Sequence, residues 1–176
     1  MTNILIFFLQ ESLNWTTKAS SGTLVVVGII AIIVQGGLIG PLVKQFGEMR
    51  LTLIGSGFIL VACALLITAP KENATINIYS AVSFLAVGAG LITPTLRALI
   101  SKKLDIDKQG SILSNLQGLQ SLGGVLGIAM AGRVYDSFGP KSPFIAGSVI
   151  LLFMIYLIAE GKSNNSFNNQ KSKVLK

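Results

Sequence analysis

The chain alternates long apolar runs with short polar knots. Five uncharged stretches, 19–43, 51–70, 73–96, 111–132 and 142–159, each have the length a bilayer demands. At about 1.5 Å of rise per residue, a helix of this size crosses roughly 30 Å of hydrocarbon with modest tilt. A helix is the element predicted, because only a self-bonded backbone crosses hydrocarbon without exposing peptide groups. The knots at 44–50, 71–72, 97–108 and 133–141 are too short to hold a folded domain. The run 1–10 is apolar but reaches only half-way across, and Glu11, Asn14 and Lys18 follow it. It predicts either an interfacial segment with Trp15 as anchor or the outer end of a further helix. Beyond Glu160 and Gly161 the chain turns to Asn, Ser and Lys, a composition that cannot bury enough apolar surface to order itself. The expected organisation is an all-α integral membrane protein with five full transmembrane helices plus a partial amino-terminal one. Residues 1–18 form the partial helix and external loop, 19–160 the helical bundle and 161–176 a disordered tail.

Composition agrees with this pattern. Of 176 residues, 51% are apolar and 12% charged, against about a quarter charged in a soluble domain. The net charge of +7 does not imply nucleic acid, since Lys162, Lys171, Lys173 and Lys176 lie in the tail and most other cations edge apolar runs. Their placement sets orientation instead. Lys44, Arg50, Arg97, Lys102, Lys103, Lys108 and the four tail lysines fall on one side, and Lys18, Lys71, Arg133 and Lys141 on the other. The positive-inside rule puts the richer side, with the carboxyl terminus, in the cytoplasm of a multi-pass cell-membrane protein. The lone Cys63 stands in an apolar run and reads as a small hydrophobe. With no histidine in the chain, neither a metal site nor a cofactor is expected. Asp105 and Asp107 share a polar loop and read as surface charge, so no enzyme is expected.

Within the spans, glycine and proline carry the next signal. Gly36 with Gly40, and Gly123 with Gly127, are pairs at a spacing of four, and Gly88, Gly90 and Gly124 add to them. Small residues let helix backbones approach where van der Waals contact replaces the hydrophobic effect, so Gly88, Gly90, Gly123 and Gly127 are expected at packed or moving helix interfaces. Pro94 cannot bond back to residue 90, which predicts a bend or hinge; Pro41 is expected to end or kink the first span. No span carries a charge near its midpoint, the usual mark of ion coupling. Arg97 and Glu160 lie at helix ends, within snorkelling distance of water. The milder polar residues Gln35, Asn115, Gln117 and Gln120 remain as a tentative substrate path or as structural hydrogen bonds between helices. Gln117 and Gln120 are three apart and share a helix face. In the first cytoplasmic knot, Gly47 permits a tight turn between adjacent antiparallel helices.

Two runs then bear on family. Gly40-Pro41-Leu42-Val43-Lys44-Gln45-Phe46-Gly47-Glu48-Met49-Arg50 resembles the cytoplasmic loop motif of the major facilitator superfamily, in the weaker form found between its eighth and ninth helices. Gly40 and Gly47 match the glycines and Arg50 the terminal basic position; Lys44 and Gln45 depart from the stronger form, so its charge relay does not transfer. The run Gly88-Ala89-Gly90-Leu91-Ile92-Thr93-Pro94-Thr95-Leu96-Arg97, then Lys108-Gln109-Gly110 and Gly123-Gly124-Val125-Leu126-Gly127, resembles the tenth and eleventh helices of tetracycline and multidrug efflux antiporters. The chain therefore looks like the carboxyl-terminal half of such a transporter. The resemblance implies a half-bundle similar to helices eight to twelve and a proton-driven exporter of small amphipathic molecules. Its partners would be the lipid bilayer and an amino-terminal half that carries the proton-coupling carboxylates, without which this chain is expected to be inactive. The alternative reading is a truncated or non-transporting membrane scaffold or regulator.

Overall fold

The computed structural model describes the backbone of residues 17–68, 74–102, 104 and 106–174, and the side chains of residues 21–68, 75–102, 104, 109–158 and 160. Residues 1–16, which hold most of the expected partial helix and external loop, and the side chains of the expected tail, lie outside the described residues.

Every regular element described is helical. In chain order they are α1 (Thr17–Ile33), a π-helical turn (Val34–Leu38), α2 (Ile39–Phe46), α3 (Glu48–Thr68), α4 (Ala74–Ser101), α5 (Ile106–Phe138) and α6 (Ser142–Val174). Three helical rods among the described residues are long and apolar enough to cross a membrane: Ser21–Phe46, Glu48–Thr68 and Thr75–Ser101. Ser142–Ile158 is a shorter apolar helix. The expected fourth span, 111–132, lies inside α5 but falls short of that apolarity, because Asn115, Gln117 and Gln120 interrupt it. Among the described residues, three of the five spans read from uncharged length combine that length with high apolarity.

The first rod shows what proline does here. Pro41 does not end the helix, which runs on to Phe46. Pro41 lacks the N–H that would reach the carbonyl of Gly37, and just ahead of it the rod widens into the π turn, where the Ile39 N–H bonds to the Val34 carbonyl. The rod stops at Gly47, whose φ of 76° and ψ of 158° lie in a region almost closed to other residues. The Gly47 N–H donates to the Val43 carbonyl at 2.9 Å and closes that end.

The centre of the bundle is the α3–α4 hairpin. One core cluster joins Leu66 of α3 with Ile78, Ala81 and Val82 of α4 and brings in Phe144 of α6. A second joins Val34 of the π turn with Leu51 and Leu91. Helix α5 meets the first cluster through Tyr135 near its end, while its middle stands out: Leu119, Leu122, Val125, Leu126 and Met130 are each 63–68% exposed. Such exposure carries no penalty against lipid tails, which are as apolar as the side chains themselves.

Candidate functional site

The site grows out of the α3–α4 contact. An added Cβ on Gly88 would lie 2.6 Å from the Gly55 carbonyl oxygen and 2.6 Å from Ile59 Cγ1; one on Gly55 would lie 3.0 Å from the Gly88 oxygen. The two glycines thus face each other where the backbones nearly touch. Gly90, two residues on, turns to a different neighbour: its Cβ would lie 3.1 Å from Val34 Cγ1. The expected small-residue cluster on α4 therefore serves two partners, α3 and the π turn.

One and two turns from Gly88 towards the cytoplasmic end expected from the basic residues, the contact becomes polar. Thr52 and Thr95 are fully buried, and their hydroxyl oxygens lie 3.0 Å apart. Each hydroxyl also has a carbonyl of its own helix in reach, Glu48 at 2.9 Å and Leu91 at 2.7 Å. Two protons serve these three contacts, so one hydroxyl bridges the helices while the other satisfies its own turn. Pro94 lies inside α4, which continues through it to Ser101.

At this end the helix junctions meet. Glu48, in the first turn of α3, accepts a salt-bridging hydrogen bond from Lys102, just past the end of α4. A carboxylate at a helix amino end is favoured there by the helix dipole, as Lys44 is in the last turn of α2. Lys44 and Arg50 are exposed, and an added Cβ on Gly40 meets nothing within 4 Å. Of the loop-motif residues, Gly47 has a backbone reason to be glycine.

The polar candidates are dispersed. Gln35 lies exposed in the π turn, and Asn115, Gln117 and Gln120 lie exposed on α5. Gln117 Oε1 accepts a hydrogen bond of 2.5 Å from Arg97 Nη2 of α4. At 100° per residue, Gln120 stays on the Gln117 side of α5 while Asn115 falls 160° round on the other. Gly123 and Gly127 have nothing within 4 Å of an added Cβ. They line a cavity of about 360 Å³ between α5 and α6, opposite Pro143, Phe144 and Gly147. A second, more open cavity of about 480 Å³ lies between α1, α3 and α4 and is lined by Val26, Phe58, Tyr79, Ser80 and Ser83. Phe58 stacks there on Phe84 with ring centroids 5.7 Å apart. The arrangement offers hydrogen-bonding amides, hydroxyls, one guanidinium and apolar walls, which suits binding and passage.

Sequence reasoning missed the contacts of Gly55, Thr52 and Thr95. Gly55 was signalled by its position in an apolar run, but Thr52 and Thr95 look like any small polar residue in a span. Arg97, expected within snorkelling distance of water, is exposed and also donates to Gln117.

Comparison with known proteins follows the same lines. The sequence pattern of the Major Facilitator Superfamily matches residues 1–128. The chain is 26% identical over 130 residues to the class C tetracycline resistance protein of Escherichia coli, covering 74% of this chain and 32% of that protein. It is 28% identical over 161 residues to the class G tetracycline resistance protein of Vibrio anguillarum, covering 87% and 39%. It is 24% identical over 131 residues to the Hippocampus abundant transcript 1 protein of Homo sapiens, covering 74% and 26%. The chain thus spans about a third of the length of the curated relatives it matches. No solved structure matches it.

Proposed function

The chain belongs to the Major Facilitator Superfamily, and from that premise we propose that it is one bundle of a proton-driven exporter of small amphipathic molecules, inactive without a complementary bundle. In this reading α5 and α6 complete five spans, the carboxyl terminus is cytoplasmic, and the protein resides in the cell membrane. Likeness to two tetracycline resistance proteins supports the substrate class.

One observation carries the reading: the amides of Gln117 and Gln120 stand exposed on the same side of the helix least packed into the bundle. An amide facing hydrocarbon without a partner costs several kcal/mol, about 4–8 on a cyclohexane scale. Gln120, and Gln117 beyond its one bond to Arg97, call for a hydrated path or a facing polar surface, and a central path between two rocking bundles supplies both. The tight α3–α4 hairpin would be the rigid part behind that path, and the Glu48–Lys102 pair would tie its cytoplasmic junctions together. No carboxylate is found inside the spans, so the proton-carrying groups belong to the complementary bundle.

Vesicles test this. The chain alone is expected to give no uptake of a lipophilic dye under an imposed proton gradient, and co-reconstitution with a complementary six-helix bundle is expected to restore it. Sustained gradient-dependent uptake by the chain alone would overturn the proposal. So would absence of uptake with a bundle that stably co-purifies with it, which favours a non-transporting scaffold.

A further inference from the structure

The guanidinium of Arg97 is placed where an ordinary helix-end arginine is not. Its Cα lies four residues before the end of α4, about 6 Å in, whereas Gln117 lies eleven residues after the start of α5, about 16 Å in. Arg97 crosses from α4 to α5 to meet Gln117. Only one of its five N–H donors is occupied by that 2.5 Å bond. Among the described residues no carboxylate lies within salt-bridge reach of it, the one such pair being Lys102 with Glu48. A guanidinium held by one neutral amide keeps open donors for an anion, and its planar fork suits a carboxylate.

The same stripe of α5 leads on to an apolar site. Gln120 and Gly124 are three and seven residues after Gln117, so they continue its face towards the centre of the helix. Gly124 lies in the wall of the 360 Å³ cavity, together with Gly123, Gly127, Phe144, Gly147 and Ile150. That volume is within the range of about 300–1,000 Å³ typical of small-molecule sites. The walls are glycines, alanine and hydrocarbon side chains, so the cavity favours a flexible or flat apolar body.

We propose that the α5–α6 cavity and the Arg97–Gln117 pair together form a binding site for amphipathic monocarboxylates, with the apolar body in the cavity and the carboxylate on the Arg97 guanidinium. Gln117 is the positioning residue that holds the guanidinium against α5, and Gln120 bridges the polar and apolar ends. The site deepens the proposed transport function by naming a substrate class, and it rests on that reading for its physiological meaning.

The test is photolabelling of the full chain in zwitterionic-lipid nanodiscs by decanoate carrying a diazirine at its far end. The expected label falls on the α5–α6 cavity walls. Decanoate should compete for it, and decanol and decyltrimethylammonium should compete at least tenfold less well. Competition by homologous carboxylates should strengthen about fourfold per added methylene until the cavity is filled, as burial of one CH₂ predicts. Arg97→Gln should abolish the preference for decanoate over decanol, Arg97→Lys should retain part of it, and Gly127→Leu should remove labelling while leaving helical circular dichroism intact. Label elsewhere on the chain, equal competition by decanol, or an unchanged preference in Arg97→Gln would overturn the site. No transport is measured here, so the two readings fail separately. Carboxylate binding without transport by paired bundles sinks only the transport proposal, and transport without carboxylate preference sinks only this one.

Discussion

Gly88→Ala is the sharpest probe of the fold. The new methyl carbon would sit 2.6 Å from both the Gly55 carbonyl oxygen and Ile59 Cγ1, and 3.2 Å from the Ile59 nitrogen. The first two distances are about 1 Å short of an ordinary contact near 3.5 Å. Ile59 Cγ1 sits next to Cβ on a branched side chain with little freedom, and the Gly55 oxygen belongs to the facing backbone, so α3 and α4 must part. Overpacking of this kind costs about 1–3 kcal/mol. Set against it is the gain of about 1 kcal/mol that alanine brings to any helix interior in place of glycine. Gly123→Ala supplies the same gain with nothing within 4 Å of the new atom, so the difference between the two variants isolates the contact. That difference is expected to be about 2 kcal/mol, roughly thirtyfold in the folded-to-unfolded ratio. Equilibrium unfolding of detergent-solubilised chain with increasing dodecyl sulphate, followed by circular dichroism, reads it. If Gly88→Ala unfolds at the same denaturant fraction as Gly123→Ala, the close backbone approach of α3 and α4 is wrong.

Three further outcomes are expected. Thr95→Val, which keeps the shape and removes the hydroxyl, should cost about 0.6–1.7 kcal/mol in the same unfolding assay; adding Thr52→Val should cost less than a second such step, since the bond between the two hydroxyls is already lost and Thr52 holds only its own-helix bond to the Glu48 carbonyl. Gly47→Ala should cost about 1–3 kcal/mol, because φ of 76° with ψ of 158° strains any side chain, and stability equal to the parent would contradict that backbone turn. A reporter enzyme fused after Lys176 should be active only in the form that works in the cytoplasm; activity confined to the external form would reverse the orientation drawn from the basic residues.

Much of the helical architecture was legible because hydrocarbon imposes one crude demand, uninterrupted apolar length, and three rods meet it. The glycine at position 47 was also legible, since a charged seven-residue knot between two spans leaves room for little except a sharp turn. Neighbour relations were harder to read. In water, a buried face announces itself against a polar one, but in a bilayer both the packed and the lipid-facing sides of α3 are apolar. Periodicity therefore does not say that Gly55 faces α4 while Gly57, with nothing within 4 Å of an added Cβ, does not. The amides of α5 posed the opposite difficulty: Gln117 and Gln120 were visible as polar, yet only the bond from Arg97 distinguishes one from the other.

The double engagement of α4 bears on how such a bundle can move. Gly88 and Gly90 point about 200° apart around the helix axis, one seated on α3 and the other on the widened turn of the first rod. Screwing or sliding α4 to relieve one seat would jam the other, so it behaves like a keyed shaft held between two bearings. Any rocking must then carry the first rod, α3 and α4 as a single block, and the slack needed for a changing aperture is left to α5.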